Sequence, residues 1–337
     1  MENTFTIAGI EVGNNLKPYV IAEAGSNFNQ SLDTAKKLID VAAESGANAV
    51  KFQLFQAAAL YPDGGELYDV FKSVELNPDW VPLLSDYANS HNLHFTASAF
   101  DITSLNILEA NNVPFHKVAS SETTNLKMVH CIANSGKPVI ISTGMCDMVD
   151  VEEAVKVCLA VGNRKIILMQ CGTMYPLPPE LANLRVIVSF ADRFRCPVGF
   201  SDHTIGYAAA TASIGLGCSV FEKHFTLDRN AEGPDHFYAL EPVELKNYIE
   251  ALHEAHKALG QPTKEMLSQE REFGRREGLY LKRDMNKGEI IAINDIVSRR
   301  PALGLRTRYM PTVLGAELTE AVVKDQPLNW SQLKFGP

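Results

Sequence analysis

Eight short runs rich in β-branched and aromatic residues recur between residues 19 and 224, each followed by a longer segment of helical period, and no other feature of this chain restricts its fold so tightly. The runs are Tyr19–Ala22, Ala49–Gln53, His94–Ser98, Phe115–Val118, Val139–Ser142, Ile166–Gln170, Val198–Ser201 and Val220–His224. Strands that alternate with helices pair in parallel, because each helical crossover returns the chain to the same end of the sheet. Eight such α/β units close most economically into a (β/α)8 TIM barrel, with a doubly wound open sheet as the structural alternative. The first connection shows the local logic. Ser31 caps a helix whose apolar face carries Leu32, Ala35, Leu38, Ile39 and Ala42, and Gly46 ends it before the second run. Gly136-Lys137-Pro138 and Gly162 supply similar stops.

A chain of 337 residues accommodates a barrel of ordinary length and a short appendix. Ser268 to Arg276 is rich in Glu and Arg, which suits a linker helix or arm, and the pattern then changes to short strands and turns. The expected division is a barrel over residues 1–265, a linker over 266–280 and a small β-rich domain over 281–337. Within the last, Leu281 to Ile296 can be laid over Leu318 to Leu333 without a gap, which predicts a two-fold repeat. A module of that size is marginal alone, so it is expected to lean on the barrel or on another subunit.

Composition narrows the partners. Net charge is −9, but residues 262–337 carry 13 basic against 10 acidic side chains, leaving 18 against 30 in the rest. An acidic body repels a polyanion, whereas a small phosphate needs only a few local cations, so no nucleic acid partner is expected and a phosphorylated metabolite is compatible. The opening Met-Glu-Asn-Thr lacks the layout of a signal peptide, and the uncharged run Thr204 to Phe221 is too rich in Gly, Ala, Ser and Thr for a membrane span. That run reads as a buried helix leading into a strand. The six cysteines form no C-x-x-C pair and no zinc spacing, as in a reduced cytoplasmic protein.

In a barrel the reactive groups gather just past the C-terminal ends of the strands. Here every run delivers polar groups to that end: Glu23; Lys51 and Gln53; Ser98; Lys117, Ser120 and Glu122; Ser142-Thr143-Gly144; Gln170 and Tyr175; Ser201-Asp202-His203-Thr204; Lys223-His224. His203 and His224 end neighbouring runs. Two such histidines could simply satisfy loop hydrogen bonds, but that position lets both imidazoles meet one divalent ion with coordination sites left open. Asp202 is then a candidate to orient a ligand, and Asp235, in Gly-Pro-Asp-His, a candidate further ligand. Lys51 and Lys117 sit in strand-like apolar surroundings, where a lysine must be paired or must meet an anion. Glu23 or Glu122 could pair them structurally. Ser120, Ser142 and the Ser-Thr-Gly turn add hydroxyl and backbone donors suited to a phosphate, which favours a ligand. Tyr175, before Pro-Leu-Pro-Pro, shapes a loop wall and can reach a substrate with its hydroxyl.

These residues fall in stretches that resemble the sialic acid synthases and their legionaminate and pseudaminate relatives. The matching stretches are Ile21-Ala-Glu-Ala-Gly25, Ala49-Val-Lys-Phe-Gln53, Lys117-Val-Ala-Ser-Ser-Glu122, Gly136-Lys-Pro-Val-Ile-Ile-Ser-Thr-Gly-Met145, Ser201-Asp-His-Thr204, Glu222-Lys-His-Phe-Thr226 and Gly233-Pro-Asp-His236. Arg299-Arg-Pro-Ala-Leu-Gly304 and Val313-Leu-Gly315 resemble the antifreeze-like (SAF) domain that completes those enzymes. The resemblance implies condensation of phosphoenolpyruvate with the open-chain aldehyde of N-acetylmannosamine, followed by addition of water at C2 and loss of phosphate. It assigns His203 and His224 to a manganese-type ion, with magnesium or cobalt as alternatives. It assigns Lys51, Lys117, Ser120, Ser142 and Ser201 to phosphoenolpyruvate. The sugar falls to Gln53, Glu122, Tyr175, Asp235 and Arg300, and the catalytic groups are Glu122, Glu23 and Lys117. It further implies a domain-swapped homodimer in which Arg300, or else Arg306, reaches the partner's site.

Two departures stand out: Ala97-Ser-Ala-Phe-Asp101 replaces the usual Ser-Thr-Pro-Phe-Asp, and Gln170-Cys171 replaces His-Cys. Gly-Pro-Asp-His sits closer to the sialic and legionaminic branches, which ranks N-acetylmannosamine first and a 2,4-diacetamido-trideoxyhexose second. A phosphosugar-specific aldol synthase would explain the barrel but not the C-terminal module. A non-catalytic carbohydrate-binding or ice-binding protein would have no use for a ring of ionisable strand ends.

Overall fold

The computed structural model describes residues 1–272 and 275–336, so residues 273 and 274 of the expected linker and residue 337 of the expected last domain lie outside the described residues. The chain divides into two compact units, Met1–Gly260 and Gln261–Pro337. In the first, a hairpin of β1 (Thr4–Ile7) and β2 (Ile10–Gly13) precedes eight parallel strands. These are β3 (Tyr19–Gly25), β4 (Ala49–Leu54), β5 (His94–Ala99), β6 (His116–Val118), β7 (Val139–Ser142), β8 (Ile166–Cys171), β9 (Val198–Asp202) and β10 (Val220–His224). They close on themselves in sequence order, with β10 beside β3. The closed barrel replaces the open-sheet alternative.

Each strand coincides with an expected run, most extending it by one to three residues. Only β6 starts later than expected; the Phe115 carbonyl before it accepts from the Thr96 hydroxyl at 2.9 Å. The first crossover helix spans Leu32–Glu44; the Ser31 hydroxyl accepts from Thr34 N at 3.2 Å, and Ala35, Leu38, Ile39 and Ala42 are buried. Gly46 follows at φ +83°. The uncharged run becomes the helix Ala208–Ile214 and then β10. Among the described residues no helix is long and apolar enough to cross a membrane. All six cysteines are free.

Side chains alternate faces along a strand, and here the two faces serve different cores. Val20, Ala22, Val50, Phe52, Phe200 and Phe221 pack outward under the helices. Tyr19, Ile21, Ala49, Phe115, Ile140, Ile167, Met169 and Val220 form a separate interior cluster, joined by Phe5, Ile7 and Val12 of the hairpin. The hairpin therefore plugs the N-terminal end of the barrel with apolar side chains, an element not read from the sequence. Continuing two residues at a time along the same inner face leads from Ile21 to Glu23, Ala49 to Lys51, Ile140 to Ser142, Met169 to Cys171 and Val220 to Glu222. The interior is apolar at its floor and polar at its open end.

The second unit has its own core, including Leu279, Leu281, Met285, Ile296, Leu318, Val322 and Leu333. The repeat expected there is present in detail. Strands β11 (Gly278–Leu281) and β12 (Ile296–Arg299) pair with Leu281 opposite Ile296, and β13 (Glu317–Leu318) and β14 (Leu333–Lys334) pair with Leu318 opposite Leu333. The Asp295 carboxylate accepts from Ala292 N at 3.0 Å, as the Gln332 amide oxygen does from Asn329 N at 2.9 Å. Met285 bridges Val322 across the two halves.

Candidate functional site

The polar rim of the barrel interior surrounds a cavity of about 210 Å³, suited to a small ligand rather than the ~300–1,000 Å³ of larger ligand sites. Its wall includes Glu23, Lys51, Gln53, Lys117, Ser120, Ser142, Tyr175, Ser201, His203 and His224, so most of the expected site residues meet in one place. Ser98, Cys171 and Glu222 join them.

Glu222 is the hub that sequence reasoning missed. Its carboxylate lies 3.5 Å from Lys117 Nζ and 3.8 Å from Lys51 Nζ and accepts from the Ser201 hydroxyl at 3.2 Å. Lys51 also pairs with Glu23 at 2.9 Å and donates to Ser98 Oγ at 2.8 Å, while Lys117 donates to Ser142 Oγ at 2.6 Å. Gln53 holds Glu23 from the far side at 3.3 Å. The two lysines are 3% and 2% exposed, so their charge is tolerable only with these partners or with an anion bound between them. Burial opposes ionisation of Glu222, but Lys117 and Lys51 outweigh it and hold the carboxyl well below its ordinary range. Glu23 is pushed upward instead, by burial, with Lys51 opposing. Glu222 Oε2 is buried without a hydrogen-bond donor. The signal for Glu222 was its spacing two residues before His224, which puts both on the inner face.

Serine hydroxyls line the same cavity. Gly144 N donates to Ser120 Oγ at 3.0 Å, which leaves the hydroxyl hydrogen of Ser120 to donate, with the Cys171 sulfur in reach. Only glycine allows this approach, since a Cβ at 144 would lie 2.9 Å from Ser120 Oγ and 2.6 Å from Thr173 Cγ2.

The rings of His203 and His224 have centroids 5.4 Å apart, and the Tyr175 ring packs 4.3 Å from the first, tilted by 44°. His203 Nδ1 lies 2.7 Å from the Gly172 carbonyl, which can only accept, so Nδ1 carries the hydrogen and Nε2 the lone pair. His224 Nδ1 is 3.3 Å from the Tyr238 hydroxyl. Neither Nε2 has a protein hydrogen bond among the described residues. This donor set fits a divalent ion carried by two imidazoles and completed by oxygens from solvent or substrate. Among the described residues there is no cluster of three or more His, Cys, Asp or Glu side chains around such a position.

Other expected residues lie elsewhere. Asp202 does not orient His203: strand alternation turns it outward, where it accepts from Thr204 N at 2.8 Å and pairs with Lys223 at 3.1 Å. Lys223 faces the same way, 5.4 Å above the Tyr248 ring, so it is no part of the cavity. Glu122 is half-buried on the 3₁₀ turn Ser120–Glu122 and accepts from Asn125 at 3.2 Å, outside the cavity wall. Asp235 also lies outside that wall, accepting from Tyr238 OH at 2.8 Å and Ser26 Oγ at 3.2 Å. Arg300 belongs to the second unit, 3.6 Å from Glu277, and lines a basic recess there with Arg306 and Arg308.

The NeuB family profile matches residues 38–264 and the SAF domain profile residues 276–334. An N,N'-diacetyllegionaminic acid synthase of Campylobacter jejuni is 37% identical over 329 residues, covering 92% of this chain and 98% of its own length. The protein of the same name from Legionella pneumophila is 34% identical over 342 residues, 96% of each chain. The crystal structure of N-acetylneuraminic acid (sialic acid) synthetase from Leptospira borgpetersenii, in complex with citrate, superposes with a TM-score of 0.76 at 31% identity, covering 80% of this chain and 94% of that one. A barrel with a lysine-rich polar mouth, a SAF unit after it in the sequence and relatives matched over nearly their whole length lead to one conclusion: the chain belongs to the NeuB family and is an enzyme of the nonulosonic acid synthase type.

Proposed function

We propose that this enzyme condenses phosphoenolpyruvate with the open-chain aldehyde of an acetamido sugar and with water, giving a nonulosonic acid and phosphate. The observation that carries the reading is the pair of buried lysines, Lys51 and Lys117, each bonded to a serine and both beside two imidazoles with unengaged Nε2 atoms. A doubly charged enol ester suits cations that burial has stripped of water. Lys51 and Lys117 grip its phosphate and carboxylate, and Ser120 and Ser142, whose oxygens accept from Gly144 N and Lys117, donate their hydroxyl hydrogens to it. Ser201 and Glu222 keep the lysines aimed, while Glu23 and Gln53 fix the neighbouring edge.

C3 of the enol ester then bonds to the aldehyde carbon, and the carbonyl electrons move to the aldehyde oxygen, which takes a proton. Water bonds to the electron-poor C2 and gives up one proton, matching the one taken by the aldehyde oxygen; the C2 hydroxyl then loses its second proton to the departing phosphate as the C–O bond breaks, and C2 becomes a ketone. A divalent ion on His203 and His224, manganese-type with magnesium or cobalt as alternatives, supplies Lewis acidity at the aldehyde oxygen when bound. Tyr175, Asp235 and, further out, Glu122 face the sugar.

N-acetylmannosamine is the first sugar by the Gly-Pro-Asp-His motif. A 2,4-diacetamido-trideoxyhexose is favoured by a separate observation, since the two relatives above that cover more than nine-tenths of the chain are named for N,N'-diacetyllegionaminic acid. Phosphate release with each of these sugars, arabinose 5-phosphate and erythrose 4-phosphate, with the product weighed by mass spectrometry, tests the reading. Turnover is expected only with the acetamido sugars; turnover only with a phosphosugar would refute it.

We further propose a domain-swapped homodimer in which Arg300, or Arg306 in its place, completes the partner's site. Sedimentation at low micromolar concentration is expected to give a dimer, and a fully active monomer would contradict it.

A further inference from the structure

We propose that Tyr238 is a positioning residue, whose phenol oxygen ties His224 to Asp235 and decides which nitrogen of His224 presents a lone pair to the cavity. The proposal rests on the reading of His203 and His224 as a metal-binding pair. Tyr238 OH lies 2.8 Å from Asp235 Oδ1 and 3.3 Å from His224 Nδ1. A phenol has one hydrogen to give, and a carboxylate oxygen accepts it over the shorter distance. The oxygen then faces Nδ1 with a lone pair, an arrangement satisfied only when Nδ1 carries hydrogen. Nε2 is left as the ligating atom. His203 reaches the same tautomer through the Gly172 carbonyl, a backbone group that no substitution removes. His224 reaches it through a side chain, so at this ring the tautomer and the ring angle depend on one hydroxyl.

The anchor behind that hydroxyl is built to hold still. Asp235 Oδ2 accepts from Ser26 Oγ at 3.2 Å. Asp235 comes so close to Gly25 that a Cβ there would lie 2.6 Å from Oδ2, and Gly25 has φ +53°. The Tyr238 ring is held between neighbours, with centroid distances of 4.9 Å to Tyr175 and 5.1 Å to His224. Phe at this position keeps the ring packing and removes only the link.

The test titrates Mn2+ into the metal-free full-length protein and follows the free ion by electron paramagnetic resonance, for wild type, Tyr238→Phe, Asp235→Asn and His224→Ala. Wild type is expected to bind and His224→Ala to lose binding. Tyr238→Phe is expected to bind about 10- to 100-fold more weakly, with KM for phosphoenolpyruvate unchanged and kcat lowered. Asp235→Asn added to Tyr238→Phe should weaken binding little further, because both break one chain. Tyr238→Phe binding within twofold of wild type, while His224→Ala fails to bind, overturns the positioning role and leaves the two-histidine reading intact. Wild type that does not bind, or His224→Ala that binds normally, overturns that reading and this inference with it.

Discussion

Chelation of the divalent ion, or replacement of His203 or His224 by Ala, is expected to cut phosphate release by at least about 10³-fold, since Lewis-acid stabilisation of a developing alkoxide contributes several kcal/mol. The two rings sit 5.4 Å apart at the open end of the barrel, with each Nδ1 committed to a neighbour. Taking one away leaves a single imidazole, which holds a divalent ion poorly. Added Mn2+ should restore the chelated wild type but neither variant. Urea denaturation of the variants separates lost chemistry from lost folding. Normal turnover after chelation would sink the metal reading.

The second large effect concerns stability. Glu222→Ala is expected to lower the unfolding free energy by about 3–5 kcal/mol, because removing one partner of a buried charge network strands the other charges. Glu222 stands between two lysines that are 3% and 2% exposed, at 3.8 and 3.5 Å, and after its removal Glu23 alone would face both. Phosphoenolpyruvate would then bring the missing negative charge. Urea denaturation with and without it should show a larger ligand-induced stabilisation in the variant than in wild type. A loss below about 1 kcal/mol would mean that water enters the cavity freely enough to replace the carboxylate.

The strands and the polar rim were legible because a parallel barrel strand, buried on both faces, reads as a short apolar run with its chemistry at one end. That same double burial hides which face turns inward. Lys223 and Glu222 are equally buried, at 2% and 5% exposed, and hydrophobic alternation gives no clue that Glu222 faces the cavity while Lys223 pairs with Asp202 outside it. Parity settles it: counting in twos back from His224 reaches Glu222 and then Val220 on the floor. The N-terminal hairpin escaped because its turn is Ala8-Gly9, with φ +43° and +90°, where Asn-Gly would have announced a tight hairpin. In the second unit the repeat was visible because paired turns, capping residues and core positions recur in one register, each constrained by the same local geometry. Tyr238 was not visible at all. Its role comes from a loop that folds back over β10, a contact that no local pattern encodes.

The hairpin stopper makes the barrel a blind-ended vessel. Phe5, Ile7 and Val12 seal one end, so among the described residues the cavity over the two lysines lies at the other. If the enol ester sits against the lysines and the sugar at the brim beside Tyr175, as proposed, depth sets an expected sequence: the deeper molecule arrives first, and the brim clears before the vessel refills.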